Sequence, residues 1–163
     1  MRVVKYSLLF VYVLIIILFT FFMFNMNKFG DSSFSNVTIL GLDDSLSSYK
    51  KGTLLIATND FKTIKKGDII FYYDTLDSKN TVNLTKVEKI MKTNNKEYTF
   101  VINDGLFLSS EYLIASTNSV KSIPFLGFIY NIFISKVGYL VLIILPILLT
   151  FLYLLKKYKS YRR

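Results

Sequence analysis

The stretch ILGLDDSLSSYKKGTLLIATNDFKTIKKGDIIFYY, residues 39–73, decides the fold of this chain. It contains a polar, turn-prone loop rich in aspartate and serine at residues 43–48, followed by two apolar segments. The second of these, residues 69–73, follows a Lys-Gly-Asp turn and is rich in β-branched and aromatic residues, which is typical of strands. The stretch therefore predicts a polar loop held beside two β-strands, a common arrangement for a functional loop.

Seven short segments are predicted to be strands, because each is rich in β-branched or aromatic residues and ends near turn residues. They are residues 36–40, 52–57, 68–73, 82–91, 97–103, 112–116 and 120–123. The pairs Asn94-Asn95 and Asp104-Gly105 are predicted turns between them. This spacing predicts a mainly β fold, a small barrel or folded sheet.

Two long apolar runs flank the strands, at residues 7–25 and 137–155. At 1.5 Å per residue, each is long enough to cross a hydrocarbon core about 30 Å thick. No small-x-small cleavage site follows the first run, so we expect a retained anchor rather than a cleaved secretory signal. Pro146 predicts a kink in the second helix, tolerated where a neighbouring group bonds to the carbonyl that proline leaves free.

Charge predicts the orientation of the chain. Seven basic residues and no acidic ones lie in residues 1–25 and 156–163, whereas residues 26–136 hold 13 lysines and all 11 acids. Basic tails stay on the cytoplasmic side of the plasma membrane. We therefore expect an N-terminal tail and span (1–25), an extracytoplasmic β-domain (26–136), a second span (137–155) and a basic cytoplasmic tail (156–163).

Composition also excludes several classes of function. The two basic tails carry +7 of the net charge of +9, so this charge does not indicate a nucleic-acid partner. The chain has no cysteine and no histidine, which excludes disulfides and thiolate chemistry and removes the commonest metal ligand and general base. No cofactor or metal site is predicted, and the oligomeric state is left open.

Two segments carry a resemblance to a known family. KKGDIIFY at residues 65–72 resembles the x-x-G-D-I-I-x-F element of the signal peptidase I family, especially its archaeal and endoplasmic-reticulum-like branch. IPFLGFI at residues 123–129 resembles the I-P-x-L-G-x-I segment that closes the β-domain of that family before a C-terminal helix. The resemblance implies a membrane-anchored serine endopeptidase with a β-domain of signal peptidase type, cleaving the signal peptides of secretory precursors after small residues.

The family's nucleophile loop, S-G-S-M-x-P-T-L-x-x-G-D, matches this chain only in part. Aligning Gly52 with the glycine of G-D, without a gap, puts Asp44 at the serine position. Deleting one loop residue instead puts Ser45 there, with Leu46 in place of methionine. The alternative interpretation is a solvated turn in which Asp and Ser side chains bond to nearby backbone N–H groups.

The family's base lies in an H-R-V or K-R-V strand, which corresponds best to Thr85-Lys86-Val87 and so places Thr85 at the base position. Lys86 faces the nucleophile only if a β-bulge intervenes, because successive strand residues point to opposite faces. Without the bulge, Lys86 is a solvated edge lysine. Asp104 corresponds to the aspartate of a G-D-x-N segment that orients a histidine in the family, or belongs to an Asp-Gly hairpin turn.

Three functions follow from these matches. An active peptidase would use Ser45 as the nucleophile and Lys86 as the base. A catalytically inactive pseudo-peptidase would bind exported or pilin-like segments by strand addition, as an assembly or chaperone factor. The third is a membrane-anchored β-domain unrelated to peptidases.

Overall fold

The computed structural model describes residues 2–75, 81–92 and 98–161. The chain divides into two compact units. The β unit is Asn25–Phe128, and the helical unit comprises Met1–Phe24 with Ile129–Arg163. The chain is thus a mixed α/β structure in which an apolar helix lies at each end.

The described part of the β unit contains nine strands, which form two antiparallel sheets. They are β1 (Ser32–Phe34), β2 (Val37–Gly41), β3 (Leu54–Thr58), β4 (Ile69–Asp74), β5 (Thr81–Lys92), β6 (Tyr98–Ile102), β7 (Phe107–Ser109), β8 (Leu113–Ser116) and β9 (Val120–Ile123). One sheet has the order β1-β2-β3-β9 and the other β7-β6-β5-β4-β8. One of the two sheets is a half-barrel.

All seven predicted strands are confirmed within two residues at each described end. The sequence did not predict β1 and β7, because three-residue strands are too short to show an alternating pattern. The turn at Asp104-Gly105 is confirmed as a 3-10 turn, Asn103–Gly105, between β6 and β7. The predicted turn at Asn94-Asn95 lies outside the described residues.

Strand β4 lies at the centre of the core because both of its faces are buried. Ile70 and Phe71 are each 0% exposed, and they belong to different hydrophobic clusters. Phe71 packs with Leu40 and Leu55 of the other sheet, and Ile70 packs with Phe100. A strand buried on both faces has a nearly continuous apolar sequence, which explains the IIFYY run.

The IPFLGFI segment docks on the start of β3 through two glycines. Gly127 N–H donates to the Gly52 carbonyl oxygen at 2.9 Å. Gly52 has a φ of +77°, in the left-handed region that favours glycine. A Cβ on Gly127 would lie 2.7 Å from the Thr53 carbonyl carbon, so this contact requires a residue without a side chain.

The helical unit pairs its N-terminal helix with its C-terminal helices. The helices are α1 (Arg2–Phe24), α2 (Leu126–Ile134, which begins in the β unit), α3 (Lys136–Tyr139) and α4 (Leu145–Tyr161), with a π-helical segment, Leu140–Ile144, between α3 and α4. Contacts between the two ends of the chain include those of Phe22 with Tyr130, Phe19 with Phe133, Thr20 with Tyr139 and Tyr12 with Leu142. Residue numbers rise along α1 as they fall on the other side, so the helices run antiparallel. The beginning of α1 and the end of α4 therefore point the same way.

One of the two predicted membrane spans is supported by length and composition. Within the part of the chain that the structure describes, the helix Lys136–Tyr153 is long and apolar enough to cross a membrane, with a mean hydropathy of 2.1. The apolar stretch of α1, Leu9–Phe24, is shorter.

Pro146 is accommodated by a neighbouring helix, as its position in an apolar run predicts. It lacks the N–H that would bond to the Leu142 carbonyl in an α-helix, and the helix contains the π segment at this point. The Tyr12 hydroxyl donates to that carbonyl at 3.0 Å. The Leu142 carbonyl, which cannot bond to the proline, thus accepts a hydrogen bond from Tyr12 that joins the two helices.

We expect Tyr12→Phe to weaken this helix pair by about 1 kcal/mol, the usual size of a hydrogen bond between helices in a membrane. Reversible unfolding of the full chain in mixed detergent micelles measures the loss. Tyr153→Phe is the matched control, because Tyr153 is 65% exposed. Equal stability of the two variants would show that the Tyr12 bond does not stabilise the pair.

Candidate functional site

The polar loop of the sequence extends the β2–β3 hairpin. Its base is closed by two backbone bonds between Leu42 and residues 52–53, of 2.8 and 2.9 Å. Leu46 and Tyr49 exchange two further backbone bonds of 2.8 Å, and both side chains pack on the core. The apolar residues anchor the loop, whereas its aspartates and serines are exposed.

The loop borders a cleft of about 790 Å³ in the β unit. Its lining combines apolar side chains with three carboxylates, one lysine and several hydroxyl or amide groups. The lining residues are Phe29, Asp31, Leu40, Gly41, Leu42, Asp43, Asp44, Ser45, Leu46, Lys51, Tyr73, Thr81, Val82 and Asn83. The volume lies in the range of ligand-binding clefts.

The half of β5 that lines this cleft is paired along one edge only, as far as the described strands show. β5 pairs with β4 along residues 81–86, and with β6 only from Val87 onward. Of the described strands, none pairs with the other edge of residues 81–86. Thr81, Val82 and Asn83, which line the cleft, belong to this half of β5. An extended peptide can pair with such an edge.

A hydrogen-bonded group lies at one side of the cleft. The Tyr73 hydroxyl donates to Asp31 Oδ2 at 2.8 Å, and Asn27 Nδ2 lies 3.3 Å from the Tyr73 oxygen, to which it donates. Asn27 Oδ1 accepts from the backbone N–H groups of Phe29 and Asp31, at 2.9 and 3.1 Å. The Phe29 ring stacks on Tyr73 with 3.9 Å between centroids. Asp31 is therefore held in place by its neighbours.

Burial raises the pKa of Asp31 to about 7; the Tyr73 hydrogen bond lowers this pKa and the charge of Asp43 raises it. A carboxyl group that titrates near neutrality can accept or donate a proton at that pH. The cleft is thus lined by a carboxyl group whose pKa lies near neutrality, in a chain that has no histidine.

Asp44 and Ser45, the two candidates for the nucleophile position, both line the cleft. Both are exposed, and Ser45 Oγ accepts a hydrogen bond of 3.2 Å from the Lys51 backbone N–H. The hydroxyl is oriented by the loop itself, and its own proton is left to donate elsewhere.

Thr85 and Lys86, the two candidates for the base position, lie further along β5 and are not among the described residues that line the cleft. Thr85 is buried opposite Ile70, whereas Lys86 is exposed opposite Ile69. Lys86 Cε lies 4.0 Å from the point that a Cβ on Gly67 would occupy. The strand has a register irregularity, but it follows these residues, between Val87 and Lys89. The assignment of Ser45 and Lys86 as nucleophile and base stays a prediction.

The backbone of Asp104 belongs to the 3-10 turn between β6 and β7. Neither that turn nor its neighbours is among the described residues that line the cleft. In the described part of the chain, no group of three or more aspartate or glutamate side chains is placed to hold a metal ion.

Three residues of the site were not singled out from the sequence: Asn27, Asp31 and Tyr73. Asn27 and Asp31 lie in a short polar segment without a recognisable spacing, and Tyr73 ends an apolar strand. The contacts of Tyr73 with Asn27 and Asp31 join residues more than 40 positions apart, so no local pattern could reveal them.

Comparison with models of protein families, with curated proteins and with solved structures found no match to this chain.

Proposed function

We propose that this chain is a signal peptidase I-like membrane protein whose cleft binds an extended segment of an exported protein. The observation that carries the proposal is the open edge of β5 at residues 81–83, which lies in the same cleft as Ser45. A peptide bound there adds one strand to the sheet, and its backbone hydrogen bonds provide affinity without a requirement for one sequence.

The lining of the cleft supports this substrate class. Leu46 and Val82, which are half-buried, offer apolar contacts for alternate side chains of an extended peptide. Asp43 and Asp44 offer carboxylates for basic residues, such as those that precede the apolar core of a signal sequence.

The membrane location is part of the same proposal. We place both apolar helices across the plasma membrane, with the β unit outside and both termini in the cytoplasm. The antiparallel pairing of α1 with the C-terminal helices supports this topology, because it directs the two basic tails to the same side.

In the catalytic form of the proposal, Ser45 attacks the scissile carbonyl and a neighbouring base accepts its proton. Lys86 is the base that the family resemblance implies. Asp31 is a second candidate, because it lines the cleft with Ser45 and titrates near neutrality. In the non-catalytic form, the protein retains the segment as an assembly or chaperone factor, which the position of Lys86 outside the cleft favours.

We expect Ser45→Ala to lower cleavage of a secretory precursor by at least about 100-fold, because the nucleophile is lost. The assay uses the full chain in detergent and measures product formation by gel. Lys86→Ala and Asp31→Asn identify the base, since the variant that lacks the base loses activity with unchanged binding. Ser47→Ala, which changes an exposed serine that does not line the cleft, is the control.

Hydrogen exchange separates binding from cleavage. If the wild type binds the precursor without cutting it, residues 81–83 should still gain protection, and the non-catalytic form of the proposal holds. If the precursor protects no residue of the cleft and is not cut, the proposed function is wrong.

A further inference from the structure

A second cavity of the β unit has a different character from the cleft. It has a volume of about 350 Å³ and is lined by Ser48, Tyr49, Lys50, Lys51, Thr53, Ser122, Pro124 and Phe125. We call it the lysine pocket. None of these residues is acidic, whereas three carboxylates line the cleft.

We propose that the lysine pocket binds the phosphate-bearing headgroup of an anionic phospholipid. Lys50 and Lys51 supply positive charge, and Ser48 and Ser122 supply hydroxyl donors. Lysine ammonium groups and hydroxyls are common donors to phosphate oxygens.

The two lysines are available for such a ligand. Both are exposed, and among the described residues no carboxylate lies within 4.0 Å of either ammonium group. The described ion pair of the β unit joins Lys28 to Glu111, and neither of these residues lines the pocket. A phosphate in the pocket would therefore not have to displace an internal ion pair.

The rim of the pocket favours a lipid over a free phosphate ion. Phe125 is 74% exposed. Its φ of 63° lies in the left-handed region, which residues other than glycine and asparagine rarely adopt. Ile123 and Leu126, its near neighbours in the chain, are each 40% exposed. Basic and apolar groups side by side are the pattern of proteins that lie in a membrane interface.

The position of the pocket in the chain fits the same partner. Phe125 directly precedes α2, and the apolar helix Lys136–Tyr153 begins soon after α2 ends. The chain must therefore enter the membrane a short distance after the pocket, if that helix spans it. The inference rests on the proposed membrane location but not on peptide binding.

The test titrates the full chain, stripped of lipid in a neutral detergent, with phosphatidylglycerol or with phosphatidylcholine of the same acyl chains. Native mass spectrometry counts the bound lipids. We expect the wild type to prefer phosphatidylglycerol by at least about tenfold, and each lysine to contribute about fivefold. Lys50→Gln alone should lose about fivefold while Lys51, which also lines the cleft, stays in place.

The matched control is Lys65→Gln with Lys66→Gln, a second pair of adjacent exposed lysines outside the pocket. The proposal predicts that this control variant still prefers phosphatidylglycerol. Lys50→Gln with Lys51→Gln should abolish the preference, whereas Lys50→Arg with Lys51→Arg should retain it. Equal losses in the two glutamine pairs would overturn the proposal, because they would indicate a general effect of net charge.

Two further arms separate the possible failures. Displacement of phosphatidylglycerol by an equal concentration of inorganic phosphate would identify a phosphate-ion site and overturn the lipid assignment. Extraction of the chain from membranes by alkaline carbonate would overturn the membrane location itself. A chain that stays in the membrane without a preference would overturn the lysine pocket alone.

Discussion

Gly127→Ala is expected to destabilise the β unit by about 3 kcal/mol, the upper end of what overpacking costs. An added Cβ would lie 2.7 Å from both the carbonyl carbon and oxygen of Thr53 and 2.8 Å from the Gly52 oxygen. These are backbone atoms, so no side chain can turn aside to relieve the contact. The Gly127 hydrogen bond to Gly52 must then lengthen or break.

Hydrogen exchange of the full chain in detergent, resolved by peptide, measures this loss. We expect faster exchange throughout β3 and β9, because these strands adjoin the contact and pair with each other. Gly105→Ala is the control: its φ of +73° is strained for alanine, but a Cβ there would meet nothing within 4 Å. It should cost only about 1 kcal/mol. A Gly127→Ala chain as stable as the wild type would show that the IPFLGFI segment does not dock on Gly52.

Asp31→Asn is expected to stabilise the β unit above pH 7 by up to about 4 kcal/mol, at 1.36 kcal/mol for each pKa unit. Folding raises the Asp31 pKa from 3.8 to about 7. Below pH 3.8 the carboxyl is protonated in both states and makes no difference to stability. As the pH rises to 7 the unfolded chain loses this proton first, so the wild type becomes progressively less stable. Asparagine cannot ionise, and its side-chain oxygen can still accept the hydrogen bond from the Tyr73 hydroxyl.

Thermal unfolding of the full chain in detergent between pH 4 and pH 9 measures this effect. The melting temperatures of wild type and Asp31→Asn should be similar at pH 4 and diverge toward pH 8, with the variant higher. Asp44→Asn is the matched control, because Asp44 lines the same cleft but is exposed. Parallel profiles for wild type and Asp31→Asn would mean that Asp31 ionises freely in the folded protein.

The central strand shows why much of the fold was predictable. The run at residues 69–73 is apolar, β-branched and aromatic, and it becomes β4, which is buried on both faces. Local patterns of this kind depend on neighbours in sequence, so they specify strands and turns well. Strands β1 and β7 each pair with the neighbouring strand in a short hairpin, but at three residues they are too short to show an alternating pattern.

The candidate site was predictable only in part. The loop at residues 43–48 could be recognised from its polar composition, and it does border a cleft. Its partners could not be recognised, because Asp31 and Tyr73 reach the cleft from separate parts of the chain. Along β5, Lys86 is exposed between two buried residues, Thr85 and Val87. The register irregularity of the strand comes only after Val87, so it does not change the face on which Lys86 lies.

The sequence by itself determined the local features of this protein: the apolar runs, the basic tails, seven of the strands and the absence of histidine and cysteine. Each depends on residue type and short-range spacing, which the chain carries in any conformation. Only the tertiary structure decided that residues 81–83 of β5, the polar loop and Asp31 share one cleft, and that burial raises the pKa of Asp31 to about 7. These properties depend on distances between remote residues and on exclusion of water, which exist only once the sheets have packed.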